Sequence, residues 1–204
     1  MEQKENRAIL RGTVAGEAVF SHHVHGIDFY RFPLSVPRLS VREDVVNVLM
    51  PLTGSEPAPR TGEYVEVTGE VRSFNNRSGT GNRLVITVLA RSVEPGEGDP
   101  CNQVLLSGVL CKPPILRRTP LGRDICDLLL AVNRRYRRSD YLPCIAWGGL
   151  ALQCGALRTG DALSLDGRLQ SRIDWKTIVE VTHERTAFEI SISSVDLFCC
   201  EETE

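Results

Sequence analysis

The sequence predicts an all-β fold of two tandem five-stranded barrels, each with one short helix, and three observations carry that prediction. The two halves of the chain repeat at an offset of about 96 residues, each half holds five apolar runs of strand length, and an acidic Gly/Pro-rich stretch separates them. A repeat longer than a solenoid unit, with its own series of strands, is read as a duplicated domain.

The repeat is visible residue by residue. Asn6, Leu10, Gly12, Gly26, Asp28, Leu34, Val36 and Arg38 fall opposite Asn102, Leu106, Gly108, Gly122, Asp124, Leu130, Val132 and Arg134. The offset drifts to 98 where TGEYVEVTGEVRS (61–73) meets TGDALSLDGRLQS (159–171). Between the copies, EPGEGDP disfavours helix and strand alike. The expected domains are therefore 1–94 and 102–198, with a linker at 95–101 and a short acidic tail at 199–204.

The elements are clearest in the second copy. Residues 103–110 read as strand one and 112–123 as a loop set by Pro113, Pro114 and Pro120. Residues 124–133 and 141–147 read as strands two and three, rich in Leu, Val and Ile and joined by polar residues. The Ala/Leu-rich stretch 149–157 suits a single short helix, and 162–172 and 187–198 complete the set as strands four and five. In strand four, Leu163, Leu165 and Leu169 alternate with Ser164, Asp166, Arg168, Gln170 and Arg172, which predicts a packed face and an outward one. Gly167 interrupts the apolar row where a small barrel needs a bend. Five strands with a helix between the third and fourth is the order of an OB-fold barrel, whose ligand face is built from strands two and three and the flanking loops.

Composition narrows the class. With 42% hydrophobic and 25% charged residues the chain is an ordinary globular protein, and no apolar run approaches the ~20 residues of a membrane span. MEQKENRAIL has no apolar signal region, so a cytoplasmic location is expected. The seven cysteines show no CxxC spacing and lie mostly in apolar strand patterns, which fits a reduced compartment without zinc. The formal charge of −2 conceals an uneven distribution: residues 1–101 carry −2, 102–198 carry +3 and the tail −3. Basic character belongs to the second copy.

That character concentrates at the hairpin between strands two and three. Arg134, Arg135, Arg137 and Arg138 surround Tyr136, with Tyr141 and Trp147 just beyond. Cations that reach phosphates interleaved with flat rings that stack on bases are what a single-stranded nucleic-acid groove requires. A solvated basic hairpin whose rings fill a small β-core has the same composition.

The opening NQVLLSG, then PPILRRTPLG, LLLAVNR, DYLPCIAWG, LRTGDALSLDGRLQSR and the closing SSVDLF resemble, in this order and spacing, the bacterial single-stranded DNA-binding proteins. The resemblance covers 102–197 closely and 6–94 as a degenerate second copy. It implies an OB-fold that binds and protects single-stranded DNA without sequence preference in replication, recombination or repair. Family stacking aromatics carry over to Tyr136, Tyr141 and Trp147, while Trp175 lies one residue beyond the family's position. Arg117, Arg118, Arg168 and Arg172 join the four hairpin arginines as expected phosphate contacts. Since the family assembles four OB-folds, two per chain implies a homodimer.

Two departures qualify the resemblance. The family's long flexible tail with its terminal acidic peptide has no counterpart in DLFCCEETE, so recruitment of partners that way is not expected. The first copy has Ser40, Val45 and Pro51 opposite Tyr136, Tyr141 and Trp147. Its strand four keeps Val65, Val67 and Val71 but shows Glu66, Thr68, Glu70 and Arg72 outward, an acidic face expected to repel phosphate. The first copy is therefore expected to serve dimerisation or protein contacts, although Phe74 among Arg72, Arg77 and Arg83 offers a counter-signal.

Three further signals read as structural. SHHVHG lacks metal-site spacing and reads as a polar loop, while Phe20, Phe29, Tyr30 and Phe32 read as core. Cys144 has only His183 in its domain and reads as a buried strand cysteine. No phosphate-binding glycine loop or hydrolytic carboxylate pair is present, so no enzyme and no cofactor are expected. The competing function is an OB-fold adaptor in a replication or recombination complex with little DNA affinity. RNA is a further alternative, because every base offers a π-face.

Overall fold

The structure is a computed structural model that describes residues 5–38, 42–52, 57–77, 82–178 and 181–198, with side chains for the same residues apart from 173–185. It is built almost wholly of strands and divides into two compact units. The amino-terminal unit comprises Arg7–Gln103 together with Ser171–Phe188, and the carboxy-terminal unit comprises Val104–Gln170 with residues 5–6 and 189–198.

In the amino-terminal unit, β1 (Asn6–Val14) pairs antiparallel with β5 (Tyr64–Asn75), and β5 with β6 (Leu84–Pro95). β6 pairs parallel with β4 (Glu43–Leu52) at Val48↔Val88 and Leu49↔Leu89. β4 then pairs with β3 (Ile27–Pro37), and β3 returns to β1 at Thr13↔Ser35. The circuit closes on five strands, with β2 (Val19–Val24) forming a hairpin on β3. Period-two alternation turns Leu10, Phe32, Leu34, Val46, Val48, Val67, Val71 and Val88 inward, all fully buried.

The carboxy-terminal unit closes in the same way. β7 (Cys101–Leu110) pairs with β11 (Ala162–Ile178), which neighbours β12 (Val181–Leu197). β12 pairs parallel with β10 (Ser139–Trp147) at Cys144↔Ile190 and Ile145↔Ser191. β10 pairs with β9 (Asp124–Asn133), which returns to β7 at Val109↔Ala131. Leu106, Leu130, Leu142, Leu163, Leu169 and Ile190 fill the centre. After β10, Gly148 takes a left-handed φ of 61° and turns the chain into α1 (Gly149–Gly155), which buries Ala151 and Cys154.

Closure brings backbones very close at matching places in the repeat. A Cβ on Gly12 would lie 2.1 Å from the Ser35 carbonyl oxygen, and one on Gly108 2.6 Å from that of Ala131. Gly69, beside a β-bulge in the β5–β6 ladder, and Gly167 stand equally close to Leu89 and Ser191. These four positions have room for glycine alone.

Several expectations are corrected. Among the described residues the amino-terminal unit has no helix, because residues 57–60 include Pro57 and Pro59, which lack the N–H and clash with a preceding helical turn. The stretch expected as a loop at 112–123 contains β8 (Ile115–Arg118), paired with the start of β9. SHHVHG belongs to β2 and its turn, not to a polar loop, and all of β2 is exposed. Of the four aromatics expected in the core only Phe32 is fully buried; Phe20 lies exposed, edge-on to Tyr30 at 5.9 Å. Gln170, expected to face outward, is buried and donates to the buried Glu189 at 2.9 Å. β11 and β12 run well past the expected ends at 172 and 187.

Gly108→Ala should lower stability by about 1–3 kcal/mol, since the added methyl meets carbonyl backbone rather than a flexible side chain. Gly149→Ala, into open space at the start of α1, should hold or raise it. Thermal denaturation followed by circular dichroism separates the two.

Candidate nucleic-acid interface

The site begins with a buried charge. Asp140, the second residue of β10, has no exposed surface and accepts from Nε and Nη2 of Arg134 at the end of β9. A buried carboxylate is tolerable only when paired and hydrogen-bonded, so Arg134 is drawn back toward the barrel. Its backbone N–H also donates to the Arg138 carbonyl at 2.7 Å, closing the loop at its base. Arg134 thus holds the hairpin that its neighbours decorate.

Above that base, Arg135–Arg137 form a tight turn in which Tyr136 (φ 61°) and Arg137 (φ 55°) are left-handed. Each such non-glycine residue costs about 1–2 kcal/mol, a cost that surroundings must over-determine. The result is a Tyr136 ring 92% exposed, flanked by exposed Arg135, Arg137 and Arg138.

Tyr141 and Trp147 lie six residues apart on β10 and so share one face, about 20 Å from end to end. They are 50% and 42% exposed, whereas Leu142, Cys144 and Ala146 between them are buried. Across the ladder the same face holds Ala131, Leu129 and Asp127. Arg117 reaches Asp127 at 2.5 Å and joins this face; Arg118, its neighbour in β8, points the other way to Asp124 at 2.9 Å. Alternation thus divides two arginines that the sequence grouped together. Arg118 holds the Asp124 carboxyl below its ordinary value.

Arg168 is half-buried on β11 and Arg172 is exposed. The Trp175 side chain lies outside the described residues, as do Ser40, the position opposite Tyr136, and the tail.

The amino-terminal unit repeats the base of the loop without its rings. Arg38 donates to the fully buried Asp44 at 2.7 and 2.5 Å, and the Arg38 N–H donates to the Arg42 carbonyl at 2.9 Å. Sequence reasoning aligned Arg38 with Arg134 but missed their carboxylates, although Asp44 and Asp140 stand at the same offset of 96. Burial alone would raise the Asp44 carboxyl; hydrogen bonds from Arg38 and Ser171 outweigh it and hold it below the ordinary range.

The acidic face expected on strand four is not acidic in net terms. Glu70 accepts from Arg72 and Arg91, and Glu66 from Arg11 at 2.9 Å. Phe74 is 51% exposed, with Arg77 and Arg83 exposed nearby in sequence. A cleft of about 700 Å³ is walled by Met50, Leu52 and Tyr64 and rimmed by Glu63 and Glu94, an arrangement unsuited to phosphate.

Other reactive groups are quiet. The Cys144 thiol is pushed far up by burial and Cys154 up to about 11, so neither is a nucleophile at neutral pH. His22 stacks on Phe29 at 4.7 Å, and His23 bonds Asp28 at 2.6 Å. Among the described residues no group of three or more His, Cys, Asp or Glu could hold a metal ion. No helix among them is long and apolar enough to cross a membrane.

The model of the Single-strand binding protein family matches residues 101–198. Single-stranded DNA-binding protein 2 of Chlorobaculum tepidum is 36% identical over 104 residues, 43% of this chain and 70% of that protein. This chain belongs to the single-strand binding protein family. Family membership makes it a binding protein and not an enzyme. Single-stranded DNA-binding protein A of Bacillus subtilis is 38% identical over 78 residues, 35% of this chain and 45% of that one. The Thermus aquaticus protein is 41% identical over 88 residues, 38% of this chain, and the match spans only 33% of its own length. In fold, the wild-type single-stranded DNA binding protein from Thermus aquaticus superposes with a TM-score of 0.79 at 23% identity, covering 100% of this chain and 97% of that one. The likeness in fold therefore includes both units, whereas the family model matches the second half.

Two predictions follow from the buried carboxylates. Asp140→Ala removes the buried carboxylate to which the half-buried Arg134 donates and should cost about 1–3 kcal/mol, read by denaturant unfolding. Because the Asp44 carboxyl is depressed on folding, its contribution is complete above the unfolded value of about 3.9 and is lost as pH falls through the lower folded value. Acid should therefore destabilise the wild type below about pH 4, and Asp44→Asn should flatten that dependence.

Proposed function

We propose that this chain binds single-stranded DNA without strong sequence preference and protects it during replication, recombination or repair. Each closed five-stranded circuit is an OB-type barrel, and the carboxy-terminal one carries the binding face. The observation that supports this most is Tyr136, 92% exposed among three exposed arginines on a loop braced from below by Arg134 and Asp140. A ring so exposed contributes nothing to a core; its use is to stack.

Tyr136, Tyr141 and Trp147 supply stacking platforms, with Trp175 assigned to the same role by its sequence position. Arg135, Arg137 and Arg138 contact phosphates, as do Arg168 and Arg172 on β11. Arg117 and Arg118 sit in partly exposed ion pairs worth about 0–1 kcal/mol, weak enough for a phosphate to displace the carboxylate. Arg134 contributes through the loop it holds. Two chains, giving four barrels, form the working homodimer in the cytoplasm. An adaptor role through the amino-terminal unit is the second reading, favoured by the acid-rimmed cleft at Glu63 and Glu94.

Stacking is worth about 1–3 kcal/mol per base, so Tyr136→Ala or Trp147→Ala should weaken oligo-dT binding roughly 5- to 150-fold at every salt concentration. The Arg135→Ala, Arg137→Ala pair should instead reduce the salt slope by about 1.4. Variants that lose thermal stability, with affinity falling only in proportion, would overturn the groove. A monomeric mass by light scattering at micromolar concentration would overturn the dimer.

A further inference from the structure

The ribbon formed by the outer parts of β11 and β12 belongs to one unit by chain order and to the other by contact. It leaves the carboxy-terminal unit at Gln170 and re-enters it at Glu189, and the intervening Ser171–Phe188 group with the amino-terminal unit. The buried Gln170–Glu189 hydrogen bond of 2.9 Å marks the crossing. One residue further, the ribbon meets Asp44.

At that point Oδ1 of Asp44 accepts from the Ser171 backbone N–H at 2.7 Å and from Ser171 Oγ at 2.8 Å. Arg38 Nη2 donates to the same Oδ1 at 2.5 Å and to the Ser171 carbonyl oxygen at 2.6 Å. One buried ion pair therefore engages the N–H, the hydroxyl and the carbonyl of one ribbon residue. On the other strand of the ribbon, the Thr186 carbonyl accepts from Asn82. Hydrogen bonds to ionised partners are about twice as strong as neutral ones and fix geometry as well as energy.

We propose that Asp44 is a positioning residue: through Ser171 it anchors the root of the β11–β12 ribbon and so sets where the ribbon meets a bound strand. The inference rests on the strand-binding function proposed above. The ribbon's sequence contains Arg172, Trp175, Lys176 and Arg185, three cations and a large ring within 14 residues of each other. A segment with that composition binds better when it is ordered beforehand, because its ordering entropy then no longer opposes association. The amino-terminal copy has Val45 and Pro51 where its sister has Tyr141 and Trp147, yet it holds this ribbon in place. It acts on the strand through what it anchors.

The test is amide hydrogen exchange on the full chain carrying Asp44→Asn or Ser171→Ala, with oligo-dT affinity measured on the same samples. Amides of 171–178 and 186–188 should exchange about tenfold faster or more in Asp44→Asn, and faster to a smaller degree in Ser171→Ala, while β1 and β9 keep their wild-type rates. Oligo-dT affinity should fall in the same order, more for long oligonucleotides than for short ones. Ser171→Ala removes one hydroxyl from a half-buried site and keeps the test open if Asp44→Asn unfolds. Ribbon exchange unchanged in both variants, or rising only in step with β1 and the thermal midpoint, would overturn the anchor. If the wild type fails to bind oligo-dT, the strand-binding function falls, and the exchange data still decide the anchor.

Discussion

A buried aspartate held by an arginine six residues earlier recurs in both barrels, and the hairpins beside it depend on it. Arg38 with Asp44 and Arg134 with Asp140 place a charge where water cannot solvate it. Such a charge is tolerable only with its partner in place, so the pair fixes the end of one strand against the start of the next. The loop between them then closes with a backbone bond at the same spacing, Arg38 to Arg42 and Arg134 to Arg138. In the second barrel this braced loop pushes Tyr136 into solvent on a left-handed backbone. The ring is thus presented before any ligand arrives, which spares binding the entropy of ordering it.

The two copies share this chassis and differ in what they mount on it. Gly12 and Gly108, and Gly69 and Gly167, allow the same close strand approaches. Outward from that frame, Tyr141 and Trp147 are replaced by Val45 and Pro51, and Arg168 by Glu70. Glu70 is compensated by Arg72 and Arg91, so the outward row of β5 is neutralised rather than repulsive to phosphate. A fold does not dictate function, and here one sequence carries the same fold with two surfaces.

Much of this was legible in the sequence. The offset of 96, the five strands of each copy and the inward row Leu163, Leu165 and Leu169 follow from periodicity, which reports burial directly. The rings and arginines of the hairpin were legible from composition and from the family resemblance, but whether the rings face solvent or the core was not. The buried pairs were not, because an arginine that stabilises a loop and one that meets phosphate look alike until the carboxylate opposite is located. β8 was hidden behind Pro113, Pro114 and Pro120, which flank the four residues that pair. The lengths of β11 and β12 were hidden because no Gly, Pro or Asn between Ile173 and Thr186 marks a strand end. Its attachment through Asp44 is a long-range contact that no local pattern encodes.

The most direct test is a fluorescence-anisotropy titration of labelled oligo-dT about 35 nucleotides long, enough for at least two OB-folds at roughly 4–16 nucleotides each. It should be run at two salt concentrations, with duplex DNA and oligo-U as competitors. Binding should be tight, weaken steeply with salt and resist displacement by duplex. No binding at micromolar protein in low salt, or ready displacement by duplex, would contradict it.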